Sequence, residues 1–301
     1  MKKIRIGTRG SELALWQANY TKTLLEKQGY EIELKIISTE GDRSQQWNTS
    51  FDKLEGKGFF TKEIEEALLK REIDLAVHSH KDLPTNGPDE LIIAGVSERG
   101  DAGEWLLIRK EAVDEKQKFN LKQKALVGTS SSRRKSQLLA FREDVEIKDL
   151  RGNVPTRIKK LRDGQYDAIM LAAAGIERLE IDVQEFHIEK LSPKEFVPAP
   201  AQGVLAWQIR EGDTALEIAL EKINNEDVQT RINIERRVLN LFEGGCQMPL
   251  GVYCEMDTND NDRPVFKVWF SKADAWDKQP LQLYFESAFA YDLPDRILEK
   301  V

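Results

Sequence analysis

The sequence reads Ile6-Gly7-Thr8-Arg9-Gly10-Ser11 near its start and repeats this pattern at Val127-Gly128-Thr129-Ser130-Ser131. Each stretch ends an apolar run with Gly-Thr and then passes through hydroxyl or glycine residues into a helix-like segment. Backbone N–H groups and hydroxyls at the positive end of a helix bind anions. The two stretches therefore predict two similar strand-to-helix units, on two lobes, with a ligand at the carboxyl ends of the strands.

Short apolar strands alternate with helix-like segments over the first two thirds of the chain, which is typical of α/β layering with largely parallel sheets. An amphipathic helix is predicted over residues 13–24 and ends before Gly29. A capped helix with Pro155 in its first turn is predicted between Asn153 and Gly164. The predicted strands are Ile4–Gly7, Ile32–Ser38, Ile73–Ser79, Leu91–Val96, Ala125–Thr129, Val145–Asp149, Tyr166–Ala172 and Val204–Ile209.

The last portion of the chain follows a different pattern, with one long helix, a tight glycine turn and three strands. The helix is predicted at Asp227–Phe242 and the turn at Gly244–Cys246, and the strands lie near Gly251–Met256, Val265–Ser271 and Leu281–Ser287. This order predicts a small α+β domain.

Two irregular stretches mark the expected domain boundaries: the polar, glycine-rich Arg99–Glu104 and the proline-rich Ser192–Ala201. A length of 301 residues also favours two or three domains. The predicted domains are residues 1–98 with 200–220, residues 99–199, and residues 221–301.

The composition restricts the kind of ligand. The chain has 45 Lys and Arg against 52 Asp and Glu, a net charge of -7, so it lacks the broad basic face that nucleic-acid binding needs. An acidic ligand must instead meet a local cluster of cations. We find no signal peptide and no apolar run long enough to cross a membrane, and the only cysteines are Cys246 and Cys254. A reduced, cytoplasmic location is therefore expected.

The first candidate cluster, His78–Pro84, follows a predicted strand directly. Its Ser79, Lys81 and Asp82 stand at a strand's carboxyl end, where α/β enzymes place their sites. The alternative is a polar turn that Pro84 terminates.

The second and third clusters are Gly128–Arg134 and Leu150–Arg157, each at a predicted strand-to-helix junction. The first combines three serines with two arginines, and such groups bind carboxylate or phosphate equally well. The alternatives are an N-cap followed by a solvated basic turn, and a structural network that pairs each arginine with Asp or Glu. Together with Arg9 and Lys53, however, these cations favour a ligand with several carboxylates.

The fourth cluster is Glu243–Gly251, in which glycines and a proline surround Cys246. Such a loop exposes the thiol and favours an attachment or nucleophilic role. The alternative is a small buried apolar residue, which we expect Cys254 to be. His78 and His80 are too weak a pair to indicate a metal site, and no metal is expected.

In this order the motifs resemble the porphobilinogen deaminase family over essentially the whole chain. The matching stretches are Arg9–Trp16, Gly56–Phe59, His78–Pro84, Gly128–Arg134, Leu150–Arg157, Tyr166–Leu179, Gln202–Gly203 and Glu243–Gly251. Arg99–Glu104 lacks the Pro-Arg-Asp that is usual in this family, so we transfer no role to that loop.

The resemblance implies a three-domain α/β enzyme whose first two domains are similar to the lobes of periplasmic binding proteins. It implies a dipyrromethane cofactor attached through a thioether to Cys246, and a reaction that condenses four porphobilinogen molecules, loses ammonia and releases hydroxymethylbilane. A monomer that binds neither nucleic acid nor membrane is expected. The alternative is a non-catalytic two-lobed protein that binds an organic polyacid.

By the same resemblance, Asp82 is the catalytic residue. The residues implied to bind the cofactor are Ser79, Lys81, Asp82, Thr129, Ser131, Arg133, Arg134, Arg157 and Cys246. The residues implied to bind the substrate are Arg9, Ser11, Lys53, Arg151, Arg178, Gln202 and Gly203.

Overall fold

The computed structural model describes residues 3–39, 61–243, 248–259 and 261–301. The chain divides into two compact units, Met1–Gly100 with Val204–Gln229, and Asp101–Gly203 with Thr230–Val301. The finer division into three domains stays a prediction.

The described residues contain three β-sheets and the α-helices that cover them. The strands are β1 (Lys3–Thr8), β2 (Glu31–Ile36), β3 (Leu75–Ser79), β4 (Leu91–Val96), β5 (Glu104–Ile108), β6 (Leu126–Gly128), β7 (Glu146–Lys148), β8 (Ala168–Ala172), β9 (His187–Leu191), β10 (Leu205–Arg210), β11 (Leu250–Thr258), β12 (Pro264–Lys272) and β13 (Leu281–Ser287). The α-helices are α1 (Glu12–Glu26), α2 (Lys62–Leu69), α3 (Ser132–Phe141), α4 (Val154–Arg162), α5 (Ala173–Arg178), α6 (Thr214–Glu221), α7 (Glu226–Leu241) and α8 (Leu293–Leu298).

The two large sheets share one strand plan. Their orders are β2-β1-β3-β10-β4 and β7-β6-β8-β5-β9. In each sheet four strands run in one direction and one strand, β10 or β5, is reversed. Strands β1 and β6, which end in the two similar Gly-Thr stretches, occupy the same position in their sheets. The predicted α/β fold with mainly parallel sheets is confirmed.

One core of the first unit packs α2 against the first sheet, and a second core lies between this sheet and helices α1 and α6. Ile4, Ile6 and Trp207 are almost fully buried there. The Trp207 indole N–H donates to Thr21 Oγ1 on α1 at 2.9 Å, which satisfies a buried donor that would otherwise cost free energy. This packing fixes α1 against the sheet.

The second sheet is buried on both of its faces. Leu106 and Ile108 pack on one side, while Trp105 and Leu107 pack on the other. All five residues of β5 are buried, so this strand shows no alternation of apolar and polar residues.

The third sheet, β11-β12-β13, is antiparallel and belongs to the second unit. Val238 of α7 and Ile297 of α8 pack against its inner face. A Cβ atom on Gly251 would lie 2.6 Å from the carbonyl oxygen of Val197, so only glycine permits this contact between β11 and the 197–198 segment. The predicted α+β C-terminal part is confirmed.

Several predicted elements differ from the structure at their ends. The strand predicted at Tyr166–Ala172 begins two residues later, at Ala168. The Asp167 carboxylate just before it accepts hydrogen bonds from Lys122 and from the backbone N–H of Leu126. Strands β5 and β9 were not predicted, and β5 begins at Glu104, the last residue of the glycine-rich stretch that was interpreted as a boundary. Among the described residues, no helix combines the length and the apolar character that a membrane span requires.

Candidate functional site

The polar residues of the first cluster follow β3 directly. The strand ends at Ser79, and His80–Asp82 forms one turn of 3-10 helix. The backbone N–H of His80 donates to the carbonyl of Val204 at 2.9 Å, which fixes the turn to the segment before β10. In this turn His80 is buried, Lys81 is half-buried and Asp82 is exposed. The turn therefore presents the Asp82 carboxylate to solvent.

Strand β1 brings the first Gly-Thr stretch next to this turn, because β1 and β3 are parallel neighbours whose carboxyl ends lie side by side. Ser11 is the N-cap of α1 and accepts a hydrogen bond from the N–H of Ala14 at 3.4 Å. Gln17, one turn further along, donates to Ser79 Oγ at 2.8 Å. The structure thus places two groups of predicted residues at the carboxyl ends of β1 and β3: Arg9 and Ser11, and Ser79, Lys81 and Asp82.

Three buried polar side chains connect α2, β10 and β3 through hydrogen bonds. The Glu65 carboxylate on α2 accepts a hydrogen bond from Gln208 Nε2 at 3.1 Å. The side-chain oxygen of Gln208, Oε1, lies 3.0 Å from His78 Nε2. Because the Gln208 oxygen is an acceptor, His78 must carry its proton on Nε2. Burial lowers the pKa of His78 from 6.5 to about 4, the hydrogen bond to Gln208 opposes the shift, and the nearby Arg9 charge adds to it.

This buried neutral histidine predicts that acid destabilises the protein. Between pH 6.5 and 4 the unfolded chain binds the His78 proton while the folded chain does not, so stability falls as pH falls through this window. From pH 7 to pH 5 we expect His78 to account for a loss of about 2 kcal/mol in the free energy of unfolding.

The measurement is urea unfolding at both pH values for the unchanged protein and for His78→Gln, which keeps a hydrogen-bond donor but does not titrate. The pH-dependent loss should shrink in His78→Gln and persist in His187→Gln, a control whose side chain is 37 % exposed. Equal losses in all three proteins would show that His78 does not contribute.

The second Gly-Thr stretch forms a hydroxyl-rich junction between β6 and α3. Ser131 is the N-cap of α3 and accepts from the N–H of Arg134 at 3.4 Å. Thr129 Oγ1 accepts from the N–H of Ser131 at 3.3 Å. Ser130 Oγ lies 3.0 Å from both the N–H and the carbonyl oxygen of Leu150, so it ties this junction to the third motif. Thr129 and Ser131 therefore lie at the positive end of a ten-residue helix.

The two arginines of this cluster are buried and share one carboxylate. Arg133 and Arg134 are 5 % and 6 % exposed, and Glu104 is fully buried. Glu104 accepts from Arg133 Nη2 at 2.6 Å through Oε1 and from Arg134 Nη2 at 2.7 Å through Oε2. Burial lowers the pKa of Arg133, and the charge of Glu104 opposes that shift. Arginine nonetheless keeps its proton in proteins, so these three groups together carry one net positive charge.

Backbone carbonyls hold the other ends of both guanidinium groups. Arg133 Nη1 donates to Val197 O at 2.9 Å, and Arg134 Nη1 donates to Met170 O at 3.1 Å. Arg134 Nε is a buried donor without a hydrogen-bond partner among the residues that the structure describes. Such a donor is costly to leave unmatched, which suits a site that accepts an additional anion.

The remaining predicted residues of the second unit lie on α4 and α5, in the loop before α4, and next to residues 203–204, where the chain passes from one unit to the other. Arg157 on α4 donates through Nε to Gly152 O at 2.7 Å, and Arg151 is half-buried in the loop before this helix. Arg178 donates to Gly203 O at 2.5 Å. Gln202 is fully buried, and its amide donates to Glu104 Oε1 at 3.1 Å and to Ala102 O at 2.8 Å.

Two predicted residues lie outside the described part of the chain: Cys246 and Lys53. The neighbouring described residues are Glu243, which follows α7, and Met248, which precedes β11. The predictions for Cys246 and Lys53 therefore stay predictions.

Sequence reasoning missed Glu104. It interpreted residues 99–104 as a boundary and assigned them no role, whereas Glu104 begins β5 and contacts three predicted site residues. The one available signal was an acidic residue at the start of an apolar run, Glu-Trp-Leu-Leu-Ile.

The fold defines an α/β protein in which two buried arginines and a buried glutamate cluster at a strand-to-helix junction. Comparison with known proteins then identifies the family. The family model "Porphobilinogen deaminase, dipyromethane cofactor binding domain" matches residues 4–218. A porphobilinogen deaminase of Sulfurimonas denitrificans is 47 % identical over 255 residues, 84 % of this chain and 79 % of that protein. One of Maridesulfovibrio salexigens is 39 % identical over the full length of both chains. The chain belongs to the porphobilinogen deaminase family.

Solved structures with a similar backbone include the periplasmic VFT2 domain of Bordetella pertussis BvgS. It is 14 % identical with a TM-score of 0.43, over 78 % of this chain and 92 % of that chain. The alternative of a non-catalytic binding protein is not favoured, because the family match and the named relatives are deaminases.

Proposed function

We propose that this chain is a hydroxymethylbilane synthase, a transferase that condenses four porphobilinogen molecules with loss of ammonia and releases the linear tetrapyrrole hydroxymethylbilane. The observation that carries the proposal is the buried Arg133–Arg134–Glu104 cluster beside a helix N-terminus, in a chain of the porphobilinogen deaminase family. Each pyrrole of the substrate bears two carboxylates, and a cluster with one net positive charge attracts such a group.

The residues of the second unit fit a dipyrromethane cofactor. Its ring substituents are carboxylates. The chain offers the hydroxyls of Thr129 and Ser131, one net positive charge, and an Arg134 Nε–H that has no hydrogen-bond partner among the described residues. We infer that Thr129, Ser131, Arg133, Arg134 and Arg157, with Ser79, Lys81 and Asp82, bind this group, and that Cys246 attaches it through a thioether. When bound, the cofactor supplies the free pyrrole carbon to which the first substrate is joined.

Substrate binding is assigned to cations and polar groups of the predicted motifs. We infer that Arg9, Ser11, Arg151 and Arg178 hold the acetate and propionate groups of porphobilinogen, each charge-assisted bond contributing about 1.5–3 kcal/mol. Lys53, Gln202 and Gly203 complete the proposed set.

The chemistry requires a group that stabilises positive charge on a pyrrole nitrogen. The C–N bond to the substrate's amine breaks with electrons supplied by the pyrrole, and the amine leaves as ammonia, which takes up a proton. The methylene carbon then bonds to the free carbon of the next pyrrole, which releases its proton. A carboxylate can stabilise a neighbouring cation and relay protons, so Asp82 is suited to both tasks at the pyrrole nitrogen.

We further propose a monomeric, cytoplasmic enzyme whose partner is the small molecule porphobilinogen, with no metal, nucleic acid or membrane involved. The acidic net charge of -7 supports the exclusion of nucleic acid.

The direct test is incubation of the purified protein with porphobilinogen, with ammonia release and tetrapyrrole formation followed together. We expect four ammonia molecules for each tetrapyrrole released. Binding of porphobilinogen without ammonia release would instead establish a binding protein and end the proposal.

A further inference from the structure

We infer that Glu104 is the positioning residue of the cofactor site: it holds Arg133 and Arg134 in the orientation in which they bind a cofactor carboxylate. The inference deepens the proposed function and rests on it. It concerns a residue to which neither the motifs nor the composition assigned any role.

The first argument is electrostatic. Two guanidinium groups at neighbouring positions of one helix repel each other, and burial strengthens that repulsion because little water screens it. The fully buried Glu104 carboxylate lies between them, with bonds of 2.6 and 2.7 Å to the two Nη2 atoms. Without this charge, we expect at least one arginine side chain to turn away toward water.

The second argument is geometric. Each oxygen of Glu104 accepts from a different arginine, and the backbone carbonyls of Val197 and Met170 hold the opposite ends of the two guanidinium groups. A planar group that is held at two of its ends cannot rotate freely. The remaining N–H groups, including Arg134 Nε, therefore point in fixed directions.

The carboxylate is itself held in place. Gln202 donates to Glu104 Oε1 at 3.1 Å and also to the carbonyl oxygens of Ala102 and Gly103 at 2.8 and 3.3 Å. Glu104 begins β5, whose neighbours β8 and β9 fix its backbone. A rigid strand and a buried amide thus determine where the two arginines lie, which is how residues behind a binding site tune its affinity.

The test uses Glu104→Gln, which has nearly the same shape but offers only one acceptor oxygen. Its amide NH₂ group would face one guanidinium donor to donor. The chain is prepared from cells that make no porphobilinogen and is then given porphobilinogen, and cofactor attachment is followed by intact mass. We expect attachment to slow at least tenfold in Glu104→Gln, to be at least threefold faster in Glu104→Asp than in Glu104→Gln, and to be unchanged in the exposed control Glu115→Gln.

A double-mutant cycle separates positioning from a general structural effect. The cycle compares the Arg134→Gln variant with the double variant that also carries Glu104→Gln. If Glu104 acts through the arginines, adding Glu104→Gln should slow attachment less than threefold in this background. Thermal unfolding of each variant shows whether it is folded. Where Glu104→Gln does not fold, the comparison rests on Glu104→Asp, which should attach cofactor at least threefold more slowly than the unchanged chain.

Several outcomes overturn the inference. Attachment at the unchanged rate in a folded Glu104→Gln protein, or in Glu104→Asp where it is the only folded variant, would show that Glu104 is merely structural. If Glu104→Gln slowed attachment equally in the unchanged chain and in Arg134→Gln, Glu104 would act independently of Arg134. If the unchanged chain attaches no pyrrole at all, the proposed function itself fails, and the two failures are thereby distinguished.

Discussion

Asp82→Asn is expected to lower the turnover of porphobilinogen by 10²–10³, which corresponds to about 3–4 kcal/mol of lost transition-state stabilisation. Asparagine has nearly the same shape as aspartate but carries no charge and cannot relay a proton. Because Asp82 is exposed in its 3-10 turn, the substitution should leave the fold intact.

The measurement is the steady-state rate of tetrapyrrole formation, corrected for the fraction of protein that carries cofactor. Asp89→Asn is the matched control, because Asp89 is also exposed and lies outside the motif. Cofactor attachment should persist to some degree in Asp82→Asn. Turnover within threefold of the unchanged enzyme would remove Asp82 from its proposed role.

Arg134→Gln is expected to reduce cofactor attachment about 10- to 150-fold, the factor that corresponds to one charge-assisted hydrogen bond of about 1.5–3 kcal/mol. The substitution removes the net positive charge of the cluster and the Nε–H, which no group in the described part of the chain accepts. It also leaves Glu104 with Arg133 and Gln202 as partners, so the buried carboxylate stays paired and the variant should fold.

Intact mass after incubation with porphobilinogen gives the fraction of loaded chain. Arg162→Gln is the control, since Arg162 is an exposed arginine of the same unit that pairs with Glu185. An Arg134→Gln protein that loads as completely and as fast as Arg162→Gln would exclude Arg134 from the cofactor site.

Much of the fold follows from local sequence signals. Strands β4 and β13 agree with their predicted ends, and α4 begins after its Asn153 cap, whose Oδ1 accepts from the Thr156 N–H at 2.9 Å. The local sequence of each element contains the signal that predicts it, which is an apolar run for the strands and a capping residue for the helix. The repeat of Gly-Thr likewise predicted two similar units, and β1 and β6 do occupy equivalent positions.

Other features depend on contacts between distant parts of the chain. Strand β9 alternates little and carries charged residues, and it is defined by its pairing with β5 rather than by its own sequence. The two reversed strands, β5 and β10, each come just after a point where the chain passes from one unit to the other, at residues 100–101 and 203–204. Neither the pairing of β9 nor the reversed direction of β5 and β10 can be predicted from the periodicity of the local sequence.

The candidate site divides in the same way. Motifs located the strand-end residues, such as Ser79 and Thr129, but not what the arginines contact. Arg133 was weighed between a ligand site and a structural network, and the structure shows it paired with Glu104, which stands 29 positions away in the sequence. A buried glutamate is recognised only when its partners are known, so the sequence alone did not indicate Glu104.

The central claim is that the chain carries pyrroles on the thiol of Cys246, and intact mass after incubation with porphobilinogen tests it most directly. The unchanged protein and Cys254→Ala, which alters the buried second cysteine, should both be heavier than their sequences by two pyrrole units. Cys246→Ser should show its sequence mass alone. A chain without added mass, or a Cys246→Ser protein that retains it, would contradict the account.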